Sequence, residues 1–205
     1  YIIAEDVGTS VEDMAEIRKE TESVVGLPKA MCPEGAGGDP SPVTALGVFK
    51  GLKASVKYRL KTDDLKGVKV AVQGLGHVGY WLCKYLTDEG AELVVTDIMQ
   101  ENIDRVVAEF GATVVEPDAI YGVNADVFAP CALGAIINDD TISQMQFKVV
   151  AGASNNQLAR AEHGRKLMDM DVLYAPDYVI NAGGRKTKLD AQAQSSLRYK
   201  YGSAA

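Results

Sequence analysis

Cysteine, histidine, basic clusters and long apolar runs are all scarce in this chain. Three cysteines (Cys32, Cys83, Cys131) and two histidines (His77, His163) stand among 205 residues. No Cys-x-x-Cys pair occurs, and no second ligand is spaced to either histidine. A disulfide scaffold and a metal site are therefore not expected, and a reducing cytoplasm fits best. No apolar run approaches the roughly eighteen residues of a membrane span, and Tyr1-Ile2-Ile3-Ala4 lacks the basic start of a signal peptide. With 21 Lys and Arg against 28 Asp and Glu, the net charge is −7. No basic run or aromatic-interleaved patch breaks that balance, so neither nucleic acid nor membrane is an expected partner. A hydrophobic share of 47% with 24% charged residues suits a globular domain, or one domain with part of a second. The chain opens without methionine, in what reads as the end of a strand, so an excised or processed piece is expected.

What the chain does contain is concentrated in Val68-Lys69-Val70-Ala71-Val72-Gln73-Gly74-Leu75-Gly76-His77-Val78-Gly79, with Val94-Val95-Thr96-Asp97 following. The order is strand, glycine turn, helix, second strand, acid. Gly74 allows a tight turn, Gly76 lets the backbone approach a pyrophosphate, and Gly79 lets the helix pack closely on its strand. Unpaired amides at the start of a helix over residues 78–86 face the phosphates, and the helix dipole favours their charge. Asp97 is placed to accept bonds from both adenosine-ribose hydroxyls. Neither it nor Ile98, Met99 or Gln100 could hold a 2′-phosphate, so NAD is expected over NADP. The cofactor set read here is Gly74, Gly76, His77, Val78, Gly79, Asp97 and Ile98. An ordinary βαβ turn is the plainer alternative.

Along the chain, Ser10 with Asp13 three residues on predicts a capped helix to about Glu22. From Val25 to Pro42 the Gly- and Pro-rich stretch predicts neither helix nor strand. A helical period returns from Val43 to Leu60, with Gly47 and Gly51 on one face. Strands are predicted at 68–73, 92–96, 113–115, 125–129, 149–151 and 172–174. Helices are predicted at 78–89, 102–110 and 161–169, with a short one near 141–145. Such alternation implies an α/β fold with a doubly wound parallel sheet covered on both faces.

Specific words extend the reading: Ala4-Glu5-Asp6-Val7-Gly8-Thr9, Asp39-Pro40-Ser41-Pro42-Val43-Thr44-Ala45 and Ala129-Pro130-Cys131-Ala132-Leu133-Gly134-Ala135. Further on stand Gly152-Ala153-Ser154-Asn155-Asn156-Gln157-Leu158 and Tyr174-Ala175-Pro176-Asp177-Tyr178-Val179-Ile180-Asn181-Ala182-Gly183-Gly184. On these words, from Tyr1 to Gly184, the chain resembles the glutamate, leucine, phenylalanine and valine dehydrogenase family, nearest its leucine-acting branch. The resemblance implies NAD-dependent oxidative deamination of an L-amino acid, leucine or a similar aliphatic, to the 2-oxo acid and ammonia. It also implies a homo-oligomer in the complete enzyme. By the same resemblance Asp6 is the catalytic aspartate that moves protons between substrate nitrogen, water and bulk; otherwise Asp6 reads as a turn or cap residue. Thr44 is implied beside the nicotinamide, its alternative being the cap of the following helix. Cys131 and Ala132 are implied along the cofactor, with Cys131 also readable as a small buried hydrophobe. Asn156, in preference to Asn155, is implied to bridge substrate carboxylate and cofactor, since an amide offers donor and acceptor together. Asn181 is implied near the nicotinamide carboxamide. The side chains of His77 and His163 are expected at the surface or as caps.

The expected organisation is residues 1–43 as the end of a substrate domain and cleft loop, 44–184 as the dinucleotide-binding domain, and 185–205 as an atypical tail. The resemblance implies two family lysines on a preceding domain, and Lys29, Lys50 and Lys53 do not stand in their motif, so this sequence is expected to be missing that domain. The rival from another class is therefore a non-catalytic NAD-binding fragment. A methyltransferase is a weaker rival, because Gly79 completes a dinucleotide spacing.

Overall fold

Ser10 opens the first helix by satisfying two backbone donors reciprocally. Its hydroxyl accepts from the Asp13 amide (3.2 Å), and the Asp13 carboxylate accepts from the Ser10 amide (2.8 Å). In the computed structural model, which describes residues 1–6, 8–32 and 38–182, this helix is α1 (Val11–Ile17). It links two short parallel strands, β1 (Ile3–Ala4) and β2 (Val24–Val25). The expected run to Glu22 is not made. The Lys19 amide bonds the Glu16 carbonyl and the Glu20 amide bonds that of Ile17, three residues back rather than four, so the turn tightens and the helix ends. The stretch expected to carry neither helix nor strand holds the end of β2 and one 3₁₀ turn at Lys29–Met31. A single turn needs only one closing bond, here from the Met31 amide to the Pro28 carbonyl (2.8 Å). Among the described residues, those up to Ser41 form one compact unit and those from Pro42 to Ala182 a second.

Helix α2 (Ser41–Leu60) starts two residues before its expected position, and the Ser41 amide is held by the Asp39 carboxylate (2.8 Å). Pro42 is tolerated in the first turn, where its missing N–H would have no intrahelical partner. Thr44 consequently lies inside the first turn and does not cap the helix. Ala45, Val48, Phe49, Leu52 and Val56 give α2 its buried face. At Gly51 the helix meets Ile180 so closely that a Cβ would stand 2.5 Å from the Ile180 Cγ1.

The remaining strands are β3 (Lys69–Gln73), β4 (Glu92–Thr96), β5 (Thr113–Val114), β6 (Val127–Pro130), β7 (Val149–Val150) and β8 (Leu173–Tyr174). They form one all-parallel sheet in the order β5-β4-β3-β6-β7-β8. Each lies at or within two residues of its expected position. The order in which successive strands are added reverses between β3 and β6, leftward from β3 to β5 and then rightward from β6 to β8, which defines a doubly wound fold with its switch point there. Alternate residues feed opposite layers. Val70, Val72, Val95, Val127 and Ala129 pack with α2, α3 (His77–Asp88) and α4 (Gln100–Phe110), while Ala71, Val94, Phe128 and Val150 face the other layer. That second layer contains α5 (Asp139–Ile142), α6 (Ala161–Asp169) and a 3₁₀ segment at Pro117–Gly122 that the periodicity did not suggest. A last short helix, α7 (Asp177–Ile180), was likewise not expected; four residues after a proline carry too little period to read.

Candidate functional site

The switch point gathers the glycine turn and the segment after β6. β3 and β6 run in register to Gln73 and Pro130, and the Cys131 amide donates to the Gln73 carbonyl (2.7 Å). Gly74 then turns with φ +91°, and its amide donates to the Thr96 carbonyl at the end of β4 (2.9 Å). A Cβ at Gly74 would stand 2.7 Å from the Ala132 amide nitrogen and 2.8 Å from the Ala132 Cβ. Glycine is required there twice, for the backbone angle and for the approach of Ala132. A Cβ at Gly79 would collide with the Gly74 carbonyl oxygen, whereas one at Gly76 would meet nothing within 4 Å. The three glycines therefore differ: two are enforced from within, and the third opens outward.

Gly76 is the cap of α3 and supplies no side-chain bond to it. The first-turn amides of a helix have no intrahelical acceptor, so they stand ready for an anion. The helix begins at His77, one residue ahead of expectation, and His77 itself is exposed. Val78 is half-buried in the same turn.

Asp97 is half-buried just past β4 and its two oxygens are both engaged. Oδ2 accepts from the Leu75 amide (2.5 Å) and Oδ1 from the Met99 amide (2.8 Å). The acid thus grips the glycine turn from the neighbouring strand. Ile98 beside it is 89% exposed, an apolar side chain left in solvent at the rim.

Beyond β6, two loops lock together. The Ser154 amide donates to the Pro130 carbonyl (2.9 Å) and the Ala135 amide to the Asn156 carbonyl (2.7 Å). Asn156 holds φ +51°, an angle asparagine tolerates better than most side chains. Asn181 reaches into this knot through its side-chain amide, donating to the Asn155 side-chain oxygen (2.6 Å) and the Ala153 carbonyl (3.2 Å). The amide paired with Asn181 is therefore that of Asn155, the asparagine given second place on sequence grounds. Burial pushes the Cys131 thiol up to about 12, and burial also raises the Cys83 thiol; neither offers a thiolate nucleophile.

Asp6 belongs to the first unit, where it is exposed and its backbone is framed by Thr9. The Asp6 amide donates to the Thr9 hydroxyl (2.9 Å), which donates back to the Asp6 carbonyl (2.8 Å). Thr44 is half-buried on α2. His163 is a cap, as expected, but a buried one: its Nδ1 accepts from the Arg160 amide (3.1 Å). One residue that sequence did not suggest touches the turn. Arg105, on α4, donates from Nη2 to the Leu75 carbonyl (3.3 Å); thirty residues and no motif separate it from Gly74.

Fold and turn together define a doubly wound α/β protein with a nucleotide-type glycine turn at its switch point. The sequence model of the Glutamate/Leucine/Phenylalanine/Valine dehydrogenase family matches residues 35–100 and 95–201, and the chain belongs to that family. It is 59% identical over 184 residues to the leucine dehydrogenase of Thermoactinomyces intermedius and 55% identical to that of Bacillus subtilis (strain 168), in each case over 90% of this chain and 50% of the relative. The crystal structure of L-tryptophan dehydrogenase from Nostoc punctiforme superposes with a TM-score of 0.76 at 43% identity, covering 93% of this chain and 54% of that one. The chain thus spans about half the length of the relatives it matches. The family match also runs past Gly184, into the stretch read from sequence as an atypical tail.

Proposed function

We propose that this chain carries the cofactor side of an NAD-dependent amino-acid dehydrogenase, which oxidatively deaminates leucine or a similar aliphatic L-amino acid to the 2-oxo acid and ammonia. In this reading residues 44–184 are the dinucleotide-binding domain and 1–43 the end of a substrate domain, in a cytoplasmic homo-oligomer. The observation that carries it is Asp97, a carboxylate at the end of β4 tied to the glycine turn. A free lone pair on each oxygen remains for a ribose hydroxyl, while the charge opposes a 2′-phosphate. The 55–59% identity to leucine dehydrogenases supports the substrate class.

When bound, NAD supplies the hydride acceptor. The uncapped start of α3 holds the pyrophosphate, Gly76 gives it room, and Cys131 and Ala132 line the path. Thr44, Asn156 and Asn181 orient the nicotinamide end and the substrate carboxylate. Asp6 takes a proton from the substrate nitrogen as hydride leaves the α-carbon, takes another from the water that adds to the resulting imine and supplies the oxygen of the 2-oxo acid, and returns one to the departing ammonia, as a general acid–base on a polar, solvent-facing loop.

Titrating the chain with NADH and NADPH tests the cofactor. At least tenfold preference for NADH is expected, roughly 1.4 kcal/mol, and equal affinity would sink the role given to Asp97. In the complete enzyme Asp6→Asn should lower kcat by about two to four orders of magnitude with NADH affinity nearly unchanged. Intact kcat with weakened NADH binding would make Asp6 a structural turn residue instead.

A further inference from the structure

The glycine turn faces a mechanical difficulty of its own. Leu75 stands between Gly74 and Gly76, two residues with no side chain to anchor, and glycine keeps more backbone freedom than any other residue. The Leu75 side chain is fully buried, which fixes one point. The orientation of its amide and carbonyl still needs holding from outside.

We infer that Arg105 is a positioning residue for this turn, acting on the Leu75 carbonyl while Asp97 acts on the Leu75 amide. The two bonds, 3.3 Å from Arg105 Nη2 and 2.5 Å to Asp97 Oδ2, come from different elements and grip one residue at both ends. Arg105 is itself braced. Its guanidinium carbon lies 4.2 Å from the centroid of the Tyr80 ring, at the end of the first turn of α3. Tyr80 in turn donates its hydroxyl to the Glu109 carboxylate (2.7 Å), one turn along α4 from Arg105, and packs against Phe110 with ring centroids 5.4 Å apart. A planar guanidinium can stack on a ring and donate at its edge simultaneously, which an ammonium does less well. The result ties the glycine turn, the helix whose amides follow it and α4 into one body. The inference deepens the cofactor reading and rests on it for its ligand. The bond geometry stands independently.

The test compares the chain with its Arg105→Met and Arg105→Lys variants. Methionine keeps an unbranched stem against Tyr80 and removes every donor. In the ligand-free Arg105→Met variant, amide hydrogen exchange at Leu75 and Gly76 should quicken about tenfold while Val72 in β3 is unchanged. NADH affinity should fall about fivefold, and adenosine affinity should hold, because the turn faces phosphate rather than base. Arg105→Lys should recover NADH binding to within about twofold of the unsubstituted chain. Unchanged exchange at Leu75 and Gly76, or equal acceleration at Val72, overturns the inference. If the unsubstituted chain binds no NADH, the cofactor reading falls, and the exchange result alone decides the role of Arg105.

Discussion

The carboxyl edge of the sheet at β3 and β6 and the corner between α5 and α6 are built by opposite means. At the first, backbone does the holding: a turn at positive φ, a close approach between Gly74 and Ala132, and helix amides with no side-chain cap. At the second, side chains do it. Asp139 accepts from Lys166 (2.6 Å) and from Arg160, with the His163 Nε2 at 3.3 Å. Lys166 foremost, then Arg160 and His163, hold the Asp139 carboxyl well below the usual carboxylate range. The buried His163 ring caps α6 from the inside. Strongly shifted titration is often taken as a pointer to function, yet structural ion-pair networks shift it equally. Here a strongly perturbed carboxylate staples two helix starts, while the proposed ligand seat consists mainly of amides that do not titrate.

Four substitutions can break or sharpen this contrast. Gly79→Val should have the largest effect, because the new atoms collide with the Gly74 carbonyl. We expect NADH affinity to fall at least a hundredfold, about 2.7 kcal/mol, and unfolding free energy by about 2–3 kcal/mol in urea titrations. Wild-type NADH binding would place the seat elsewhere. Next, His163→Ala removes an acceptor and a buried ring together, so a loss of about 2 kcal/mol in stability is expected. Its NADH affinity should stay within about twofold; a larger change would erase the distinction between the two regions.

Asp97→Ser follows, with an expected narrowing of the NADH-over-NADPH preference by about tenfold, or 1.4 kcal/mol. Since Asp97 also holds the Leu75 amide, NADH itself should bind more weakly, and calorimetric titration with both cofactors separates the two effects. The smallest change is expected from Asp139→Asn and shows in pH dependence. A carboxyl lowered in the folded state adds stability that is complete above its unfolded value of about 3.9 and is lost as pH falls toward the folded value. The variant should therefore be less stable at neutral pH and show a shallower fall in melting temperature below about pH 4. An unchanged acid slope would remove Asp139 as its source.

Much of this architecture is legible along the chain because it depends on short spacings. The Ser10–Asp13 box spans three residues, the turn from Gly74 to Gly79 five, and the alternation of strand and helix repeats over a few tens. Such patterns are written in local backbone geometry and in which face each residue must bury, so order, layering and parallel sense could be read directly. What sequence could not contain was adjacency. That Ala132 presses on Gly74, that Asn181 pairs with Asn155 rather than Asn156, and that Arg105 reaches Leu75 all follow from the strand order β5-β4-β3-β6-β7-β8. The burial of His163 was equally hidden, since the apolar period of α6 does not reveal that Asp139 from α5 stands against it. Local periodicity sets what each segment becomes; only closure of the sheet, by burying both its faces at once, decides which distant loops are brought within hydrogen-bonding distance.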